Sequence, residues 1–580
     1  MTSVPTLCYI LKSCDSCYLS YFYGRMRWVS TMISSLLALL LPMVEKSDGQ
    51  SEFNLTDVSS LIQAKFEHFS GQTGKHFIVE TITSGMATFD YDGDGWTDVY
   101  FLTGAPLQGD KNNEQQPNRL FRNLGNFQFI DVTQATGAGD LGFALGVTAG
   151  DYDNDGDQDL FISNFGPNIM LQNNGDGTFS RHEFPNSKPA PRVGAGVSLL
   201  DIDHDGNLDV FFANYIEFSF EKSTKQTVFG AQRVSSPKDY DPDSNTLLSN
   251  TGDGTFEDIS AASGIASFAG PGMGIVAFDY DADGDTDVFV CNDSAANFLF
   301  QNDGDRKFSE VALLTGVAYD VTGSQQATMG VDVGDFDGDG FLDLVTTNYD
   351  AEIPTLYKNS GLGFFDDIGP AVGFGAASRN LKWGVAFADL DNDSWPDLIM
   401  ATGHLMKDAS KLNDSVTFAA RNVYLRNIQG KKFSDFSTNV GTAADSIKAS
   451  RAIALDDLDN DGNVDAVILN SDTAPQWIRN ETNNSNHWCE LCLIGVKANR
   501  DAVGARVIVQ CNNRKLVQDI VSGRGYQSHF GSRLHFGVGQ SKSIDVEVHW
   551  PGGDVQSFRS LPVQQLLLLR EGFDSAIRLR

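Results

Sequence analysis

A nine-residue pattern, Asp-x-Asp-x-Asp-Gly-x-x-Asp, occurs seven times in the 580-residue chain. Its acidic sets are Asp90, Asp92, Asp94 and Asp98; Asp151, Asp153, Asp155 and Asp159; Asp201, Asp203, Asp205 and Asp209; Asp279, Asp281, Asp283 and Asp287. The remaining three are Asp335, Asp337, Asp339 and Asp343; Asp389, Asp391, Asp393 and Asp397; Asp457, Asp459, Asp461 and Asp465. All 28 of these positions are Asp, never Glu or Asn. Such a loop suits a hard cation that takes six to eight oxygens, and Ca²⁺ is the expected ion, about seven in all. Mg²⁺ fits less well, because it demands a tighter octahedron and keeps its waters. Carboxylates at positions one, three and five wrap the ion from one side, and position nine closes the shell. Position seven is expected to give its backbone carbonyl, so its side chain is free to vary: Trp96, Asp157, Asn207, Asp285, Phe341, Trp395 and Asn463. Glycine at position six permits the sharp turn in every copy but one, where Ser394 stands. An EF-hand begins alike but closes on a Glu at position twelve between helices.

A single Asp-Gly loop is an ordinary turn. Seven with unbroken acidic positions are not, since four carboxylates in one small loop repel one another unless a cation lies among them. The formal net charge is −34, and seven Ca²⁺ would bring fourteen positive charges and leave −20. So acidic a chain offers no basic face for phosphate, which excludes nucleic acid as a partner.

The flanks of the loops read as strands. Short small or apolar runs precede them and apolar runs such as Leu160-Phe161-Ile162 follow, as in strands covered on both faces. A third element ends in Asn in each copy: Asn123, Asn173, Asn250, Asn302, Asn359, Asn427 and Asn480. In six copies a Gly- or Asp-rich turn and a Phe then open a fourth strand. Four short strands repeated radially is the plan of a β-propeller, here seven-bladed and spanning 51–482. The seventh copy lacks its fourth strand, and Leu55-Thr56-Asp57-Val58-Ser59, which matches the others' fourth strands, is expected to complete it and remove the open edges. The predicted fold class is all-β, with a small C-terminal β domain over 487–580 whose strand-like runs include 505–510, 516–521, 544–550 and 565–569.

Residues 1–50 read as a signal or anchor region. Arg25 and Arg27 precede an apolar run from Trp28 to Val44, without an Ala-x-Ala cleavage site. Met26 is an alternative start that would leave 1–25 untranslated, and an uncleaved anchor would be the only membrane attachment. The expected location is secreted or cell-surface, or periplasmic in a diderm bacterium. Of seven cysteines, Cys8, Cys14 and Cys17 precede the signal, Cys291 stands on a predicted strand, and Cys489, Cys492 and Cys511 fall near one another, where export would permit a disulfide to Cys511.

The loops resemble the VCBS/FG-GAP repeats of secreted proteins and of integrin α-chain propellers, over about 55–480. The stretches 499–506, Gly523-Arg524-Gly525-Tyr526-Gln527-Ser528, Leu534-His535-Phe536-Gly537 and Trp550-Pro551-Gly552-Gly553 resemble the ASPIC/UnbV domain. Together the two parts are similar to the family of cartilage acidic protein and its bacterial relatives. The resemblance implies export, calcium binding and, in some members, matrix or adhesion roles, with no catalytic residues. Ser394 departs from the repeat at the sixth loop.

Two functions follow as expectations. The first is an exported, monomeric, calcium-binding module for adhesion or matrix interaction, with an extracellular protein or glycan as partner. The second is a calcium-dependent polysaccharide lyase or hydrolase, against which stands the lack of a Gly-x-Ser-x-Gly, a His-Glu-x-x-His or an acidic pair outside the loops. Connections between second and third strands lie opposite the acidic loops, and three are long: 103–117, 214–244 and 402–421. The second carries Lys222, Lys225, Arg233 and Lys238, which would suit an anionic glycan or acidic protein patch. Arg500, Arg506, Arg524, His535 and Trp550 are read as turn and packing residues of the C-terminal domain rather than a polar site.

Overall fold

The computed structural model describes residues 53–108, 115–184, 192–223, 226–228, 231–233, 235–411 and 416–580. The signal or anchor reading of 1–50 lies outside them. Residues 51–580 form one compact unit.

Each acidic loop joins the first two strands of an antiparallel sheet whose main path has four strands. Blade one is Met86–Phe89, Asp98–Phe101, Arg119–Asn123 and Phe129–Asp131, and the next five repeat that order. The fourth blade gains a short extra strand, Gln326–Ala327. The seventh is built of Ser450–Asp456, Asp465–Asn470, Gln476–Asn480 and, as its outermost strand, Leu55–Asp57 from the other end of the chain. Leu55 pairs with Asn480 and Asp57 with Ile478. First and second strands are apolar at their centres because they are covered on both faces: Phe143–Gly150 and Asp209–Asn214 are buried at every residue, the latter apolar between its terminal Asp209 and Asn214.

The innermost strands contact one another in order, and the last, Ser450–Asp456, returns to the first, Met86–Phe89. A second closed circuit runs through the asparagines that end the third strands. Asn173 Nδ2 donates to the Tyr91 carbonyl of the preceding loop at 2.8 Å. Asn250, Asn302, Asn359, Asn427 and Asn480 repeat the bond to Tyr152, Ile202, Tyr280, Phe336 and Leu390 at 2.8–3.0 Å. Asn123 closes it on Leu458 at 2.8 Å. Seven sheets therefore complete the ring among the described residues.

The C-terminal domain is a pair of four-stranded sheets packed face to face. One orders Leu534–Gly539, His487–Ile494, Leu566–Arg570 and Ile577–Arg578; the other Arg514–Asp519, Arg506–Cys511, Ser543–His549 and Val555–Pro562. Its core is continuous with that of blades two and three, joining Val507, Val546 and Leu567 to Tyr152, Val197 and Leu199. Cys291, Cys489, Cys492 and Cys511 are free thiols.

One segment of this domain leaves it and fills the axis of the ring. Ser522 bridges to Leu199, Gly525 exchanges two backbone hydrogen bonds with Val331 (2.7 and 3.0 Å), and His529 exchanges two with Met86 and Thr88 (both 3.0 Å). Tyr526, fully buried, donates to the Ile82 carbonyl at 2.6 Å and meets the Trp383 ring edge-on. Gly523, at φ +90°, comes so close that a Cβ there would lie 2.1 Å from the Val197 carbonyl oxygen. Arg524 pairs with Asp332, a buried acid of blade five. The strand-like runs of 487–580 predict a small β domain and carry no sign of this axial segment.

Candidate metal centres

The seven loops share one hydrogen-bond scheme. The position-one carboxylate accepts the N–H of position five on one oxygen (2.9–3.2 Å) and that of position six on the other (2.6–3.2 Å). Position five accepts the N–H of position seven at 2.8–3.0 Å. Position nine accepts the N–H of position two at 2.9–3.3 Å and that of the ring asparagine at 2.7–2.8 Å. Each ring asparagine thus ties its own loop's closing Asp to the loop of the preceding blade.

Two loop positions take left-handed backbone. Position six does so as Gly95, Gly156, Gly206, Gly284, Gly340 and Gly462, and also as Ser394, at φ +74°. Position four does so in every copy, as Gly93, Asn154, His204, Ala282, Gly338, Asn392 and Asn460. No role at position four is read from the sequence. Its signal is the small or polar residue at most copies, which tolerates this backbone better than a branched or bulky one.

Position three differs from the other acids because no backbone N–H of the scheme reaches it. One oxygen, Oδ1, of Asp92, Asp281, Asp337 and Asp459 is buried without a hydrogen-bond partner. A buried carboxylate oxygen left so costs several kcal/mol. In the loops at Asp151, Asp201 and Asp279, oxygens of positions one, three and nine lie within 4.8 Å of one another; at Asp90 and Asp335 those of positions one, three and five do. Three carboxylates of each of these loops converge, position three among them, and at Asp92, Asp281 and Asp337 it brings an unpartnered oxygen. This donor set fits a hard divalent cation.

Electrostatics agree. Burial, reinforced by neighbouring loop acids, raises the position-nine carboxyls: Asp159 to about 9, Asp209 to about 7, and Asp98, Asp287, Asp343, Asp397 and Asp465 well above the carboxylate range. Burial likewise raises Asp151 and Asp335 to about 7 and Asp201 and Asp279 to about 6. Burial and mutual repulsion are the penalties a bound cation would offset.

The C-terminal domain docks on the loop face. Asp501 accepts the Asp151 N–H at 2.7 Å, Arg506 donates to the Asp279 carbonyl at 2.7 Å, and Arg533 donates to the Gly95 carbonyl at 2.7 Å. His535 donates to the Gly462 carbonyl at 3.1 Å, and the Gly539 N–H to the Asn392 carbonyl at 3.0 Å. Arg506 also pairs with Asp519, and Trp550 is buried and donates to Gln556. Arg500, Arg506, Arg524, His535 and Trp550 are thus spread over separate docking and packing contacts. On the opposite face, Lys222 of the expected basic cluster is already paired with Asp241 at 2.7 Å.

The family described as FG-GAP-like repeat matches 90–162, 151–212, 234–290, 279–346 and 335–400, segments that hold the first six loops. The family described as ASPIC and UnbV matches 495–576. Cartilage acidic protein 1 of Homo sapiens is 25% identical over 326 residues, 55% of this chain and 46% of that protein. Its Mus musculus counterpart is 25% identical over 335 residues, 57% and 48% respectively. The chain thus spans about half the length of these relatives. Among solved structures, BP39L lectin from Burkholderia pseudomallei aligns over 70% of this chain and 98% of its own at a TM-score of 0.42 and 12% identity. YCF48 bound to D1 peptide aligns over 74% and 97% at 0.38 and 10%. Both scores are too low to bear on function. No helix among the described residues is long and apolar enough to cross a membrane.

Proposed function

The chain belongs to the FG-GAP-like repeat proteins that carry an ASPIC and UnbV domain, and from that premise we propose that it is an exported, calcium-stabilised binding module. The observation that carries the reading is the set of buried, unpartnered position-three oxygens at Asp92, Asp281, Asp337 and Asp459, the first three residues each grouped within 4.8 Å with two further carboxylates of their loops. Positions one, three, five and nine would hold the ion, with the position-seven carbonyl completing the shell. Ca²⁺ there would supply charge neutralisation and loop rigidity. The C-terminal domain clasps loop backbones at Gly95, Asp151, Asp279, Asn392 and Gly462, so loop order and domain docking rise and fall together.

With the loop face covered, the opposite face carries the partner. The long connections of the sequence belong to that face, and an extracellular protein or glycan is the partner class that suits an exported module. Export rests on the apolar run after Arg27 and on the family resemblance. Extracellular calcium modules bind at roughly 10⁻⁴–10⁻³ M. At ten times the dissociation constant each site would add about 1.4 kcal/mol. Seven such sites give on the order of 10 kcal/mol, the scale of a whole domain's stability. The test is a melting scan with and without chelator. A large fall in Tm is expected, with loss of the C-terminal domain's protection from protease. A shift of only a few degrees, with protection intact, would overturn the proposal.

A further inference from the structure

In six of the seven blades the residue immediately before the ring asparagine contacts the position-three carboxylate of its own loop, and its charge differs from blade to blade. Arg122 Nη2 lies 2.7 Å from Asp92 and 3.0 Å from Asp94. Lys358 Nζ contacts Asp337 and lies 3.1 Å from Asp339. Arg426 pairs with Asp391, and Arg479 Nε lies 2.8 Å from Asp459. These four loops each carry a cation tethered to their own third strand. In the loops at Asp151 and Asp279 the same place is filled by Gln172 and Gln301, which donate to Asp153 and Asp281 at 3.1 and 3.0 Å without bringing charge. Both of these loops also have a fifth carboxylate, Asp157 or Asp285, at position seven. The loop at Asp201 is intermediate: Ser249 stands before its asparagine, and Arg306 approaches Asp203 only to 3.5 Å.

We propose that the residue before the ring asparagine sets cation affinity loop by loop. The loops at Asp151 and Asp279 are the tight sites, and those at Asp90, Asp335, Asp389 and Asp457 are weak ones where the incoming ion must share its carboxylates with a tethered Arg or Lys. This rests on the calcium reading above and adds which loops fill first. Docking cations reach the tight loops too, but further out: Arg500 and Arg506 lie 3.6 and 3.9 Å from Asp151 and Asp279. They approach position one and leave position three to the Gln. A unit positive charge about 5 Å from a divalent ion in a high-dielectric surface loop weakens binding on the order of tenfold. The module would therefore fill in two steps, with part of the ring loaded before the rest.

The experiment is calorimetric titration of the full chelated chain with Ca²⁺, with a melting scan of each variant to establish that it is folded. The wild type is expected to show two tight sites and a weaker group about tenfold or more below them. Lys358→Gln and Arg122→Gln should each move one site from the weak group to the tight one, and Gln301→Lys should move one the other way. A single affinity class, or a folded Lys358→Gln protein with the wild-type isotherm, overturns the grading while leaving the calcium reading intact. A chain that takes up no calcium at about 10⁻³ M overturns both.

Discussion

Single residues show where the fold is held under strain. Ser394 takes the left-handed backbone that six glycines take elsewhere, and its N–H still reaches Asp389 at 2.6 Å. A non-glycine residue there costs of order 1–2 kcal/mol, so Ser394→Gly should raise stability by about 1 kcal/mol. Denaturant unfolding at fixed calcium measures it, and a destabilised variant would contradict the account. His529 lies in the ring axis, with Nδ1 3.1 Å from Thr148 Oγ1 and Nε2 3.1 Å from Ser532 Oγ. Burial, aided by Arg524, lowers its pKa to about 3. It is neutral when folded and titrates near 6.5 when unfolded, so its contribution is whole above pH 6.5 and is lost as pH falls toward 3. At pH 5 the loss relative to pH 7 is roughly 2 kcal/mol. At saturating calcium, His529→Gln should lose less stability than the wild type over that interval; equal losses would count against the buried, neutral histidine. The acidic positions were legible from type and spacing alone. The asparagine bonds between blades were not, because they join neighbouring repeats, and the contact of the preceding residue with position three was not, because it depends on how each third strand packs beside its own loop.

At the scale of elements, the strands were legible because each is a short apolar run punctuated by a loop with fixed chemistry. Closure by Leu55–Asp57 was legible for the same reason: its sequence matches the fourth strands and the seventh copy lacks one. Deleting 53–61 should leave Gln476–Asn480 as an open edge and remove Phe53, Leu55 and Val58 from a core shared with Trp477 and Ile478. The truncated chain is expected to aggregate and to melt lower, seen by light scattering on heating; a truncation as soluble and heat-stable as the parent would refute the closure. The axial segment escaped the sequence reading because its partners lie hundreds of residues away, as with Tyr526 and Ile82. Its trace in the sequence is the pair Gly523 and Gly525, both at positive φ where the segment passes against the inner strands.

At the scale of the molecule, propeller, axial segment and loop-face domain form one interlocked body. The ring encloses a segment of the C-terminal domain, that domain clasps the acidic loops, and the asparagine circuit links each loop to the next. Charge is the weak point of such a body. The 28 loop carboxylates supply most of the negative excess and lie where burial raises their pKa values. Cation binding at the loops is therefore the claim on which the account stands. The most direct measurement is the number of Ca²⁺ ions taken up by the chelated, full-length chain, read by calorimetric titration and checked by native mass spectrometry. The account predicts about seven, as each loop offers the same four carboxylates; two or fewer at millimolar calcium would contradict it.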